Sequence, residues 1–223
     1  MSGPMPTHVH AQADLPGGAA ALVHGEALAR DRVDAFLAVV PPRDRETRPD
    51  ALARAERQRR RWATQVVVAD ELARRACAER GLRAPEEVSP SQVLAVAEAD
   101  VADLGSIVAA VLSHSPAARV LLDVFEREQA IPEATVRDYY DRNRDRFLTP
   151  EALRRGVDPF DEPAPDHVLP YERAREGIER ELRRAAGRRA FFAWLDRART
   201  GVVYAAGHEH PGDPSHPDHE HRH

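Results

Sequence analysis

Two short strand-like segments stand at opposite ends of an otherwise helical chain, and they constrain its fold more than anything between them. The first, AALVHGEAL at residues 20–28, reads as a strand and turn: Leu22 and Val23 supply apolar bulk, and His24-Gly25-Glu26 supplies the reversal. The second, TGVVYAAG at 200–207, reads as a strand in which Val202 and Tyr204 are prominent. An isolated strand leaves its backbone donors and acceptors unpaired, so neither stands alone. The economical closure pairs the two with each other. The expected fold class is mainly α, with a small two-stranded sheet joining the N- and C-terminal ends.

Helical spacing dominates the residues between. Asp31 can cap a helix in which Val33, Phe36, Leu37 and Val40 repeat, and Pro41-Pro42 stops it. A longer helix opens at Pro49-Asp50 and runs to Gly81, with Leu52, Ala55, Trp62, Val66, Val67 and Leu72 as its apolar stripe. Its basic run ARAERQRRR suits either an anion patch or a solvated face partnered by acids, and the acidic balance of the chain favours the second. Residues 89–130 read as two shorter helices, and IPEATVRDYYDRN as a compact one started by Pro132-Glu133. Five prolines make 145–170 a linker with one turn of helix. The stretch from Tyr171 to Thr200 is a strong helix, with Ala174, Ile178, Leu182, Phe191, Trp194 and Leu195 apolar. Residues 1–18 and 206–223 are expected to be disordered, leaving 19–205 as the folded core.

Composition removes several function classes. The 37 acidic residues against 32 basic ones give a net charge of −5, unlike the basic excess of a general nucleic-acid binder. Every basic residue is arginine, and without lysine there is no Schiff-base enzyme, lysine-dependent phosphate loop or kinase lysine. Cys77, the single cysteine, can form no internal disulfide and reads as a buried, inert thiol. No run approaches the roughly 18 apolar residues of a membrane span, and the first residues lack the pattern of a secretory signal. The reading is a soluble, cytoplasmic protein with no nucleic-acid or membrane partner.

Catalytic patterns are also missing. There is no G-x-S-x-G or G-x-G-x-x-G, the H-E-x-x-H at His219–His223 falls in the tail expected to be disordered rather than on a helix, and Ser106 sits in an apolar helical run. Asp100 and Asp103 share a helical face, a spacing that serves a coupled carboxylate pair or, more commonly, a cap. His114, between Ser113 and Ser115 and before Pro116, reads as a turn residue rather than an acid or base. No catalytic residue is assigned, and no cofactor is required.

The C-terminal tail holds six of the eleven histidines: His208, His210, His216, His219, His221 and His223. On a flexible chain, two to four imidazoles at such spacing can wrap Zn, Ni or Cu, with Asp213, Asp218 and Glu220 completing the sphere. Such binding weakens below about pH 6.5, since a metal needs neutral imidazole. The alternative is a solvated tail with no metal role.

Several segments together resemble the SurA-like chaperones, a group that includes PrsA and related parvulin-type foldases. ALVHGEALARDRVDAFL is similar to their "VNGE" strand-then-helix opening, and RRWATQVVVADELARRACAERGL to their long second helix. IPEATVRDYYDRNRDRFLTPE resembles the "eevraYYdanpdrFttPe" segment, and RAFFAWLDRARTGVVY the last helix and returning strand. The resemblance implies a SurA N-terminal-like helical chaperone core. In that family an inserted isomerase domain, of on the order of a hundred residues, follows the "drF..pe" segment. Here only the proline-rich linker joins Phe147 to the final helix, so the resemblance implies the core without the parvulin domain. It also implies ATP-independent binding of unfolded or partner polypeptides, lined by Trp62, Phe125, Tyr139, Phe147 and Trp194; ordinary core packing is the other reading of each. A degenerate prolyl isomerase and a metal-handling protein using the tail are the alternatives. A homodimer can form if the closing strand pair forms between chains.

Overall fold

The computed structural model describes residues 15–40, 51–89, 101–161 and 166–209, with 101–106 described for backbone only. The expectations for Pro41-Pro42, Pro49-Asp50, Asp100, residues 1–14 and the tail beyond Glu209 lie outside the described residues. In chain order the elements are β1 (Ala19–Val23), β2 (Glu26–Ala29), α1 (Arg30–Val39), α2 (Leu52–Glu79) and α3 (Val101–His114). They continue with α4 (Pro116–Arg127), α5 (Glu133–Arg142), a 3-10 turn (Arg144–Phe147), α6 (Pro150–Arg155), α7 (Tyr171–Arg199) and β3 (Val202–Tyr204).

The mainly helical class and the pairing of the two end strands are present. β1 lies antiparallel to β3, with Ala21 opposite Tyr204 and Val23 opposite Val202. The sheet has three strands rather than two, in the order β2-β1-β3. The added strand, EALA, has little β propensity and mostly faces outward, so its sequence does not announce it. The turn makes it: Val23 pairs with Glu26 across the two residues His24 and Gly25, whose φ values are 50° and 85°. Two positive φ values are what a type I′ hairpin requires.

Two compact units divide the chain. One comprises residues up to 118 and from 195 onward; the other comprises 119–194. In the first, α2 packs on α1, α3 and β1. Ala63 through Ala69 are all buried, so the middle of α2 is enclosed on every side rather than along one stripe. Leu52, expected in that stripe, is exposed. The helix ends as expected at Gly81, in a Schellman closure: Gly81 at φ 64° donates to Ala78 O at 3.1 Å and Leu82 to Cys77 O at 2.8 Å. Cys77 is buried, and its Sγ donates to Ala117 O at 3.4 Å. α1 starts one residue before the expected cap, with Ala29 flanking it and Asp31 in its first turn.

The second unit has two apolar centres. Phe125 of α4 meets Phe191 and Trp194 of α7, its ring lying 6.4 Å from that of Phe191 and 6.2 Å from that of Trp194; Leu121 of α4 is fully buried. α4 and α7 approach closely because Gly187 has no side chain: a Cβ there would lie 2.5–2.9 Å from atoms of Glu126. Around the other centre, Val136, Tyr171, Ala174 and Ile178 are flanked by Tyr139, Tyr140 and Phe147. Within the proline-rich stretch, residues 145–161 and 166–170 are described and carry regular elements. Thr149 caps α6 through Ala152 N at 3.3 Å, Pro150 starts it, and Gly156 in the left-handed region ends it. Leu148 forms an isolated bridge with Val168.

Candidate functional site

Three helices of the first unit enclose a cavity of about 280 Å³. α1 contributes Arg32, Ala35 and Phe36; α2 contributes Val66, Val67, Asp70 and Arg74; Val111 and His114 come from α3, and Ser115 follows it. The walls are apolar because α1 presents Phe36 to the valine run of α2. Phe36 is held from both sides, 5.6 Å from the Trp62 ring and edge-on to His114 at 5.3 Å.

A charge network fixes the cavity's polar edge. Arg32 donates to Glu71 at 2.6 Å and to Asp70 at 3.2 Å, and Arg74 Nε donates to the same Asp70 oxygen at 2.8 Å. Arg75 continues the network to Glu71, Glu26 and the Val23 carbonyl. Burial alone would raise the Glu71 pKa, but hydrogen bonds from Arg32 and Arg75 outweigh it and lower the value. Asp70 Oδ2 is shared by Arg32 and Arg74, while Oδ1 is buried without a hydrogen-bond partner. Partial burial lowers the His114 pKa, so its imidazole is neutral at neutral pH. The side chain of Arg74 is 61% exposed. This arrangement can receive an apolar group and offer hydrogen-bond donors beside it; it holds no assembled nucleophile and base.

Of the five aromatic residues expected to line a binding surface, Trp62 lies in the first unit and Phe125, Tyr139, Phe147 and Trp194 in the second. Trp62 packs on Phe36 beside the cavity without lining it. Phe125 and Trp194 share the α4–α7 cluster. Tyr139 and Phe147 flank the centre built on Tyr171, where Tyr139 also donates to Glu181 at 2.8 Å. The cavity's own residues were legible only as core stripe, in Phe36, Val66 and Val67, or as a turn, in His114. Nothing in the spacing tells that α1, α2 and α3 leave a gap where they meet.

The last three arginines of the basic run of α2 are partnered. Arg59 donates to the Leu37 and Val40 carbonyls at the end of α1, at 2.8 and 2.6 Å, and Arg60 pairs with Asp34 at 2.7 Å. Arg61, only 4% exposed, lies 3.5 Å from Glu209.

His208 corrects the expected start of the tail. It is buried, with Nδ1 2.8 Å from Thr64 Oγ1, and the described chain continues to Glu209. An imidazole held this way is a structural group rather than a loose ligand. The ordered turn forms because α2 carries Arg61, Thr64 and Gln65 on one face, at i, i+3 and i+4, and they receive Glu209, His208 and Tyr204. Among the described residues no three His, Cys, Asp or Glu side chains gather as a metal site; His210, His216, His219, His221 and His223 lie outside them. No single helix among the described residues is long and apolar enough to cross a membrane. Comparison with known proteins finds no matching family model, no similar curated protein and no similar solved structure.

Proposed function

We propose that the protein binds apolar segments of other polypeptides reversibly and without nucleotide, as a chaperone-like module. The observation that carries this reading is the cavity between α1, α2 and α3, whose walls are Ala35, Phe36, Val66, Val67 and Val111. Apolar walls with a few polar groups at the edge are the ordinary form of a binding site. At about 280 Å³ it lies just below the ~300–1,000 Å³ typical of small-molecule sites and is sized for one side chain of an extended segment. The resemblance of the segment order to SurA-like chaperones supports the same role.

Light scattering of a chemically unfolded client diluted into buffer tests it, with chelator present. The full chain, a chain ending at Glu209 and an Ala35→Trp variant are compared. Ala35 lines the cavity from the exposed side of α1, so a tryptophan there fills the mouth without entering the core. Stoichiometric suppression by the first two, lost in the third, is the expected result. No suppression by the full chain at several-fold molar excess overturns the proposal.

A further inference from the structure

The sheet of the first unit has two edges, and they are not alike. Between β1 and β3, Ala205 donates to Ala20 O at 2.9 Å and His24 donates to Gly201 O at 3.3 Å. Hydrogen-bonded pairs alternate along an antiparallel ladder, so Val203, opposite Leu22, also turns its N–H and C=O toward β1. Val202 and Tyr204 turn theirs the other way, along the open edge, where among the described residues no group bonds to them. β2, the opposite edge, carries Glu26, whose side chain is 77% exposed, and a charge is a common guard against stray pairing. β3 is Val-Val-Tyr, with neither charge nor proline.

The side chains add a second feature. Tyr204 reaches Gln65 of α2 on the inner face, so Val203, next to it, points to the other face and is 42% exposed. On that face Ala27 stands opposite Leu22 and Leu22 opposite Val203, an apolar row across all three strands that ends at the open edge.

We propose that β3 pairs antiparallel with β3 of a second copy of this chain, across a two-fold axis at Val203. Val202 then lies opposite the second copy's Tyr204, and Tyr204 opposite the second copy's Val202, which satisfies every outward backbone group of both strands. The same register sets Val203 beside the second copy's Val203 in a non-hydrogen-bonded pair, the closer kind, and carries the apolar row into the second sheet. A shift of two residues either way sets Val202 or Tyr204 opposite a residue outside β3. An unrelated extended segment offers the hydrogen bonds alone, whereas the two-fold supplies the bonds and the matching row together.

Sedimentation velocity of the full chain over a wide range of concentration tests this, beside two substitutions at Val203. The native chain should show a monomer–dimer equilibrium. Val203→Asp, which sets like charges opposite each other, should weaken it at least about tenfold. Val203→Cys should form a disulfide-linked dimer under mild oxidation, because the ~4.5 Å Cα separation of such a pair lies within a disulfide's reach. Ala27→Cys, at the far end of the same row, should not, and the native Cys77 is buried in each. Circular dichroism checks the fold of each variant. A chain that stays monomeric at every concentration overturns the proposal. So does a dimer that Val203→Asp leaves intact and Val203→Cys fails to link, which places the contact elsewhere or exchanges β3 between copies. Equal linking through Ala27→Cys and Val203→Cys overturns it as well, as random collision. If Val203→Asp abolishes client capture in the light-scattering assay while self-association is unchanged, the edge receives a client strand rather than a second copy, and the proposal falls.

Discussion

Thr64 and His208 are hydrogen-bonded at 2.8 Å, joining the middle of α2 to the turn beyond β3, and the direction of that bond is fixed. Thr64 has one hydroxyl proton, and it donates it to the Arg60 carbonyl at 2.9 Å. The imidazole must therefore carry its proton on Nδ1 and donate to Oγ1. Replacing Thr64 by Val keeps the shape and removes the acceptor. The expected cost is about 1–3 kcal/mol, the penalty of a buried donor left unpaired, read from urea denaturation. An unchanged midpoint would show that the turn is not held through this bond.

The same histidine makes stability depend on pH. Burial, then the charges of Arg30 and Arg60, hold its pKa below the ordinary 6.5, against the opposing effect of Glu209 and Asp34. Above the unfolded pKa both states are neutral and stability is full. On acidification the unfolded chain binds the proton first, so stability falls as pH drops below about 6.5. His114, lowered by burial, acts in the same direction. The lowered carboxyls of Glu71 and Glu133 lose their contributions only further down, below about 4.5. The urea midpoint should therefore decline between pH 7 and 5, and decline less steeply in His208→Gln. Equal slopes in the two proteins would place the dependence elsewhere.

Tyr204 donates to Gln65 Oε1 at 2.9 Å, and Gln65 is fully buried. Tyr204→Phe leaves that oxygen without a donor, at about 1–3 kcal/mol. Adding Gln65→Leu removes the orphaned group altogether. The double variant should be less destabilised than Tyr204→Phe alone, a non-additivity that a double-mutant cycle measures directly.

Gly187 should tolerate no side chain. Alanine there gains up to about 1 kcal/mol in helix propensity. Its Cβ meets the Glu126 backbone at 2.7 and 2.9 Å, however, so α4 and α7 must part. Overpacking of this kind costs about 1–3 kcal/mol, and relief of it disturbs the Phe125, Phe191 and Trp194 contacts as well. Thermal denaturation of Gly187→Ala should show a lower Tm than the native chain; a higher one would mean the two helices adjust freely.

How far the sequence could be read follows from what each element depends on. Helices announced themselves, because apolar period and end signals such as Gly81 are local. The β1–β3 pairing was also legible, since two lone strands have only each other. β2 was not: EALA becomes a strand through the left-handed turn before it, not through its own composition. The enclosed middle of α2 misled in another way. Arg61, Thr64 and Gln65 look like a polar, outward face, and only the tertiary partners Glu209, His208 and Tyr204 make that face an inner one. The cavity was illegible for a related reason, since it is a gap between α1, α2 and α3 that depends on how the three helices meet.

The partner of β1 has a consequence for how the chain is made. Ala21, Leu22 and Val23 emerge from the ribosome early, yet Tyr204, Val203 and Val202 emerge only after the whole of residues 119–194. During that interval β1 has a neighbour on one side alone, the local hairpin strand β2, and its other edge is open to any passing strand. Residues 119–194 are contiguous and can reach their own packing while the first unit waits. Synthesis thus imposes an order on assembly: the inner segment is ready first, and the sheet that begins the fold is the last part of it to be completed.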